Sequence, residues 1–171
     1  MTEGKLIQIL KAKSKEIMQQ DKHYHDFAHV MGVYHNIEKL LRYEFGHRLV
    51  LLTAALFHDI ERNKEYHGAA AALTVEEILS NIEEFPKALI EHVARIIRAH
   101  DNAQIKNDEK LFYDADKMDA FNDLATARSF MMYAKDGLTL RQACEQYCQL
   151  IDRFYRHLHT DTAKWLIAKD Y

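Results

Sequence analysis

The sequence predicts an all-α protein, a single-domain helical bundle that occupies residues 1–171. Only one proline and five glycines occur among 171 residues, so long helices are expected and a strand-rich fold is not. Apolar residues recur at spacings of three and four through most of the chain, which is the period of an amphipathic helix. No repeat, low-complexity tract or linker divides the sequence, and its length suits one domain.

The first half of the chain predicts three helices, over residues 3–20, about 26–45 and 49–59. The first is amphipathic, with leucine and isoleucine among lysines and glutamines. The second carries His29 at the head of its inward stripe, and we expect Gly46 to end it in the C′ position. The third is apolar all round and stops at His58 and Asp59, which predicts a helix buried on every side.

The second half predicts four further helices, over residues 66–79, 85–100, 109–135 and 138–159, and a short segment around Trp165. The first is rich in alanine, and the second has Pro86 near its start, where proline is accepted. Residues 109–135 read as one continuous helix with a divided surface. Gly137 separates it from the last helix, which we expect to pack through the following residues: Leu140, Cys144, Tyr147, Ile151, Phe154 and Leu158. Helices 138–171 should pack on a motif-bearing core at about 21–125.

Charge and composition argue against several classes of protein. The net charge of −3 disfavours an electrostatic role on a nucleic-acid polymer or an anionic membrane. No stretch approaches the roughly 20 apolar residues of a membrane span, and residues 1–20 lack the pattern of a signal peptide, so we expect a cytosolic protein. Cys144 and Cys148 lie four apart without a second cysteine pair, which predicts two core cysteines rather than a metal site.

Several predicted inward-facing positions carry side chains that bind metals. They are His29, His58, Asp59, His92, His100 and one or more of Asp114, Asp116 and Asp119. Buried carboxylates are costly unless they are paired or bound to a cation. Imidazole and carboxylate oxygen together suit divalent ions such as zinc, iron and manganese. For His58 and Asp59 alone, a satisfied core histidine and a helix cap are the simpler interpretation.

Three ordered blocks of sequence resemble the HD-domain phosphohydrolase superfamily. Residues 25–33, His-Asp-Phe-Ala-His-Val-Met-Gly-Val, resemble the His-Asp-x-x-His-x-x-Arg-Val opening of a bacterial branch of this family. Residues 54–60 are close to its Ala-Ala-Leu-Leu-His-Asp-Ile, and residues 113–120 match its Asp-Ala-Asp-Lys-Leu-Asp pattern. The resemblance covers roughly residues 21–125. The sequence departs from the family pattern at Gly32, where arginine is common, and at Glu61, where glycine is common.

The resemblance implies a helical bundle in which one divalent ion is bound by His29, His58, Asp59 and Asp116. Asp116 is chosen by the motif and not by periodicity. The ion would be Mn, Fe, Co, Zn, Ni or Mg, since the ligand types do not choose among them. The family also implies an activated water on that metal, which supplies hydroxide near neutral pH.

The remaining candidates each allow two interpretations. His67 and His100 would bind a second metal or donate a proton to the leaving oxygen, or they are hydrogen-bonded histidines at the mouth of the bundle. Arg62 and Lys117 would pair with phosphate oxygens, or they form surface ion pairs. Glu61 would be a general acid or base, or an exposed loop carboxylate. His92 would lie near the substrate or have a structural role. The pair His25 and Asp26 would orient a metal ligand, or Asp26 would cap a helix.

The leading functional prediction is a metal-dependent phosphohydrolase, a phosphomonoesterase or phosphodiesterase, that acts on a nucleotide or another small phosphate ester. The alternative is a non-catalytic regulatory or ligand-sensing module with a bound metal, and a third is a bundle with a purely structural metal. A complete set of four ligands favours the enzyme. Aromatic residues at Phe130, Tyr133 and Tyr155 would suit a homodimer face.

Overall fold

The computed structural model describes residues 1–19, 27–99 and 107–168. In this part of the chain every regular element is a helix and no strand occurs, which confirms the all-α prediction. The α-helices are α1 Glu3–Met18, α2 Phe27–Leu40, α3 Arg48–Phe57, α4 His67–Ser80, α5 Ile90–Ala99, α6 Asp108–Met118, α7 Asp123–Lys135, α8 Leu140–His157 and α9 Asp161–Ile167. Two 3-10 turns lie at Lys87–Leu89 and Asp119–Phe121.

Helix α3 is the centre of the bundle. Every residue from Leu49 to Phe57 is buried, and α1, α2, α5 and α6 all pack against this helix. An apolar side chain therefore faces a neighbouring helix in every direction, as the uninterrupted hydrophobic run predicts. Because α3 ends at Phe57, the two polar residues that follow it lie at the edge of the core, beside α2 and α6.

Gly46 has a different role from the one predicted. Helix α2 ends at Leu40, so Gly46 lies too far along the chain to be its C′ residue. A Cβ atom at position 46 would lie 2.8 Å from a methyl group of Leu51 and 2.9 Å from one of Leu111. A larger residue here would therefore displace the leucine side chains that pack between this loop, α3 and α6, and Gly46 does not form a left-handed helix end.

The predicted helix 109–135 is interrupted, and the prediction of one continuous helix is wrong. Helix α6 ends at Met118, a 3-10 turn follows, and Asn122 is extended, with φ −117° and ψ 160°. The side chain of Asn122 accepts a hydrogen bond of 2.9 Å from the backbone N–H of Ala125, which makes it the N-cap of α7. The chain changes direction here, at the edge of the candidate site.

Helices α7 and α8 form a hairpin that is only lightly buried. Within α8 only Ala143 is buried, Leu140 is 73% exposed, and both cysteines are exposed. The prediction of two core cysteines is therefore wrong, because α8 contacts α7 and α6 along one edge and turns Cys144 and Cys148 outward. Leu158, just after α8, is buried as expected.

The last helix, α9, packs on α6. The C-terminal part of the described chain therefore contacts the helix that carries most of the third motif, residues 113–120. None of the helices in the described ranges is long and apolar enough to cross a bilayer. The cytosolic location stays a prediction.

Candidate metal centre

Four of the predicted site residues lie together around the facing Nε2 atoms of His29 and His58, and they are called the cluster here: His29, His58, Asp59 and Asp116. His29 comes from α2, His58 and Asp59 directly follow α3, and Asp116 lies in the last turns of α6. The Nε2 atoms of the two histidines are 3.2 Å apart. Oδ2 of Asp59 lies 3.6 Å from each of these nitrogens, and Oδ1 of Asp116 lies 3.3 Å from His29 Nε2 and 3.9 Å from His58 Nε2.

The outer nitrogens of both imidazoles are engaged by other groups. Nδ1 of His58 donates a 3.0 Å hydrogen bond to the backbone carbonyl of Ala55, which can only accept. Nδ1 of His29 lies 2.7 Å from Oδ2 of Asp119. Each contact directs the ring so that Nε2 points toward the cluster, which is the usual arrangement of metal-binding histidines.

The donor set fits a divalent cation. For ligands about 2.1 Å from an ion, neighbouring donor atoms are separated by about 3.0 Å at right angles and about 3.4 Å in a tetrahedron. The observed separations of 3.2–3.9 Å lie close to this range. One ligand atom from each of His29, His58 and Asp59 falls within 4.8 Å of the others, and all three residues are buried.

The pKa values at the cluster are set by its carboxylates and by their cationic neighbours. Burial lowers the pKa of His29, but hydrogen bonds to Asp116 and Asp119 outweigh it and raise the value from 6.5 to about 9. Burial likewise raises the pKa of Asp116, but the charges of Lys117 and His29 prevail and hold it well below its usual value. The carboxylates therefore favour positive charge at this point, from a proton or from a metal ion.

Comparison with known proteins agrees with this geometry. The family model described as HD domain matches residues 26–121, more than half of the chain. The chain belongs to the HD-domain family. Membership implies a divalent metal and the chemistry of a metal-dependent phosphohydrolase in general. None of the curated proteins matches the sequence.

Solved structures share the HD-domain fold along most of the chain. Bacillus subtilis YpgQ in complex with ADP is 24% identical, with a TM-score of 0.80 over 99% of this chain and 89% of that one. An HD-superfamily hydrolase from Bacillus thuringiensis is 24% identical, with a TM-score of 0.74 over 99% and 90%. A predicted HD-superfamily hydrolase from an uncultured Thermotogales bacterium is 24% identical, with a TM-score of 0.62 over 87% and 88%.

In the described part of the chain, three cationic side chains lie around the cluster. Nη1 of Arg62 lies 3.3 Å from Oδ1 of Asp59, and Nζ of Lys117 lies 2.7 Å from Oδ2 of Asp116. Each cation thus contacts the carboxylate oxygen that faces away from the histidines. Arg128 of α7 lies 3.5 Å from Oδ2 of Asp119 and is 11% exposed.

A cavity of about 230 Å³ opens beside the cluster. It is lined by residues of the cluster, by the three cations and by an apolar wall. The apolar side chains come from the lightly buried hairpin of α7 and α8: Met132, Tyr133, Leu150 and Phe154. The partial exposure of this hairpin therefore has a structural reason, since its inner edge lines a cavity and not the core.

Other predicted residues lie outside the cluster. Arg62 donates a 2.9 Å hydrogen bond to Nε2 of His67, the first residue of α4, so this nitrogen acts as an acceptor. Glu61 accepts from Thr74 at 2.7 Å and pairs with Lys64 at 2.9 Å, and these contacts hold its pKa below the usual value despite burial. It does not line the cavity.

The structure does not bring His92 to the cluster. Its Nε2 lies 3.2 Å from Oδ2 of Asp108, and its ring packs edge-to-face near His47. Burial lowers the pKa of His92, which favours a neutral ring packed between α5 and α6, and this position supports the structural interpretation of His92 over contact with substrate. His100, and the capping pair His25 and Asp26, lie outside the described residues, so their predicted roles stay predictions.

Sequence reasoning missed Arg128 and left the role of Asp119 undecided. Arg128 was missed because a continuous helix over 109–135 would place its side chain in a different direction relative to the metal ligands. The Asn122-Asp123 pair, a strong N-cap followed by an acidic first turn, was the signal for a new helix start.

Proposed function

We propose that this protein is a metal-dependent hydrolase of small phosphate esters, with His29, His58, Asp59 and Asp116 as the metal ligands. The observation that carries the proposal is the approach of one carboxylate oxygen each from Asp59 and Asp116 to within 3.3–3.9 Å of two imidazole nitrogens, which lie 3.2 Å from each other beside a cavity. A divalent ion held there lowers the pKa of bound water and neutralises charge on a phosphoryl oxygen.

The charges around the cavity suit an anionic substrate. Three carboxylates, those of Asp59, Asp116 and Asp119, are matched by three cations, which are Arg62, Lys117 and Arg128. Among the described residues these six charges cancel, so a divalent ion bound beside neutral imidazoles leaves the site positive. A phosphate dianion therefore finds a complementary field at the cluster, and carboxylate-rich surroundings alone would have repelled it.

The protein side chains position the substrate. Arg62 lines the cavity, and its guanidinium presents several N–H groups in a fork that matches phosphate oxygens. Its contacts to Asp59 and to Nε2 of His67 are both made by Nη1 and fix the guanidinium at that nitrogen. We assign His67 to the orientation of Arg62, because an imidazole nitrogen that accepts from a guanidinium has no proton to donate there.

The apolar wall supports a nucleotide-like substrate. Tyr133 and Phe154 contribute aromatic rings to the lining of the cavity, and such rings bind flat apolar groups well. YpgQ, which shares the fold, was crystallised in complex with ADP. We therefore propose a nucleotide or a similar ester with a single apolar group, and the volume of about 230 Å³ favours one ring system over a larger group.

The test combines metal analysis with a substrate panel. Purified protein is analysed for Mn, Fe, Co, Ni, Zn and Mg, and is then assayed on nucleoside mono-, di- and triphosphates, phosphate monoesters and cyclic nucleotides. Phosphorus NMR of the products identifies the bond that is cleaved. Asp59→Asn should lose at least 100-fold in rate and most of the bound metal. Asp136→Asn, at an exposed carboxylate at the end of α7, should change neither.

The outcomes separate the alternatives. Full metal occupancy with turnover of none of these esters would favour the ligand-sensing module. Metal that is retained in Asp59→Asn at wild-type affinity would remove this carboxylate from the ligand set and would contradict the proposal.

A further inference from the structure

Gly32 occupies an unfavourable position for a glycine. It lies in the interior of α2, which runs Phe27–Leu40, and glycine destabilises a helix interior relative to alanine because it loses more backbone freedom on folding. Its φ does not require glycine, since Gly137 is the glycine with positive φ in the described chain. A contact from outside the helix must therefore account for it.

The carboxylate of Asp119 occupies the space that a side chain at position 32 would need. A Cβ atom built on Gly32 would lie 1.8 Å from Oδ1, 2.8 Å from Cγ and 3.4 Å from Oδ2 of Asp119. These three atoms are the nearest neighbours of that position, and all belong to one carboxylate. The Cβ atom of an arginine at this position would therefore overlap the carboxylate of Asp119.

Asp119 is held in this space from several directions. Its Oδ1 accepts a 2.9 Å hydrogen bond from Nδ2 of Asn122, and its Oδ2 lies 2.7 Å from Nδ1 of His29 and 3.5 Å from Nη1 of Arg128. The residue is 3% exposed. A carboxylate fixed in this way cannot rotate aside to make room for a methyl group without losing these contacts.

We propose that Asp119 is a positioning residue that fixes His29 with its proton on Nδ1 and its Nε2 lone pair toward the metal, and that Gly32 is required only to admit Asp119. The inference rests on the proposed function for the role of His29 as a ligand. Carboxylate partners of ligating histidines set ring orientation, and their loss typically lowers metal affinity 10–100-fold. Asn122 and Arg128 act through Asp119.

A double-mutant cycle between positions 32 and 119 tests both parts. Gly32→Ala, Asp119→Ala and the double variant are compared with wild type by Zn²⁺ titration calorimetry and by thermal unfolding of the metal-free proteins. In the wild-type background we expect Gly32→Ala to lower Zn²⁺ affinity 10–100-fold, as Asp119→Ala does. In the Asp119→Ala background it should lower affinity no further.

The effect of Gly32→Ala on Tm should have opposite signs in the wild-type and Asp119→Ala backgrounds. Gly32→Ala lowers Tm in the wild-type background, because the carboxylate is displaced. In the Asp119→Ala background it should raise Tm by about 2–4 °C, because the clash is gone and alanine is the better helix former. Gly4→Ala is the matched control, since Gly4 lies in α1 with no atom within 4 Å of its added Cβ; this change should leave Zn²⁺ affinity unaltered in either background.

The tautomer is measured directly by ¹⁵N NMR of the imidazole in Zn²⁺-loaded protein. Wild type should show a protonated Nδ1 of His29 in slow exchange with solvent, and Asp119→Ala should lose this signal. Asp119→Asn keeps the shape and one acceptor oxygen, so its Zn²⁺ affinity should fall between wild type and Asp119→Ala.

Two results would overturn the inference while the proposed function stands: wild-type Zn²⁺ affinity in Asp119→Ala, or an equal loss from Gly32→Ala in both backgrounds. A wild-type protein that binds no Zn²⁺ would instead overturn the proposed ligand set, and with it the role of Asp119; the Tm cycle would still report whether Gly32 serves the carboxylate.

Discussion

The two aspartates at the centre of the third motif should have separable roles. Asp116 faces the histidines, but Asp114 is fully buried on another side of α6. Its Oδ1 accepts a 2.8 Å hydrogen bond from the backbone N–H of His159, and its Oδ2 accepts from the N–H and the hydroxyl of Thr160 at 2.8 and 2.7 Å. Asp114 therefore anchors the connection between α8 and α9 to α6.

The magnitude expected for Asp114→Ala follows from these three contacts. A hydrogen bond contributes about 1 kcal/mol net, and somewhat more when one partner is charged. Burial raises the pKa of Asp114 even though the bonds from His159 and Thr160 oppose this, so desolvation offsets part of their contribution. We expect a loss of about 2 kcal/mol in the free energy of unfolding, which corresponds to about 4–8 °C in Tm for a domain of this size.

The assay is urea unfolding together with Zn²⁺ titration, on Asp114→Ala, Asp116→Ala and the exposed-site control Asp136→Ala. Asp114→Ala should be less stable and should still bind Zn²⁺ with wild-type affinity below its unfolding transition. Asp116→Ala should lose Zn²⁺ affinity, and Asp136→Ala should behave as wild type. Loss of Zn²⁺ binding in a folded Asp114→Ala protein would refute this division of roles, as would an unchanged unfolding midpoint.

Three further predictions concern the metal and its surroundings. Chelation with EDTA should lower Tm by about 5–10 °C relative to protein with Zn²⁺ at 100 times its Kd, since such binding contributes about 2.7 kcal/mol; an unchanged Tm would mean that no ion stabilises the fold. In the metal-free protein the raised pKa of His29, about 9 against 6.5, contributes stability that is fully present below pH 6.5 and is lost as pH rises through 9. Urea midpoints across this window should fall for wild type and stay flatter for His29→Gln, and equal slopes would contradict the assignment. Asn122→Ala should cost about 1 kcal/mol as a lost N-cap and should also weaken Zn²⁺ binding, because Asn122 holds Asp119; a pure stability effect, seen in urea without any change in calorimetry, would limit it to capping.

The part of the fold that was predictable depends on the local pattern of the sequence. The α3 run is apolar on every face, and such a segment has no stable place except the centre of a bundle. The same run carries His58 and Asp59 at its end, so the position of the core also indicated the position of these two side chains. The pairing of this block with His29 and Asp116 came from the order of the motifs, since helical periodicity could not choose between Asp114, Asp116 and Asp119.

The parts that were missed depend on tertiary contacts. Nothing between 109 and 135 is a proline or glycine, and the break at Asn122 exists because a cap and a buried carboxylate together outweigh helix continuity. Gly46 is similar, because its neighbours Leu51 and Leu111 come from two other helices. Propensity is a weak prior wherever such contacts decide the backbone.

Two aspartates, one in the last turn of α6 and one just after it, contact the two ring nitrogens of His29. Asp116 and Asp119 are three residues apart, a spacing that places side chains on one face of a helical turn. From there Asp116 reaches Nε2 of His29 at 3.3 Å and Asp119 reaches Nδ1 at 2.7 Å, although His29 and Asp119 are 90 residues apart in sequence. The orientation of the histidine is thus set by the last turn of α6 and by the turn that follows it. Substitutions that shift this turn, or that fill the space at Gly32, should therefore weaken metal binding more than they weaken the core, because the all-apolar packing of α3 does not involve them.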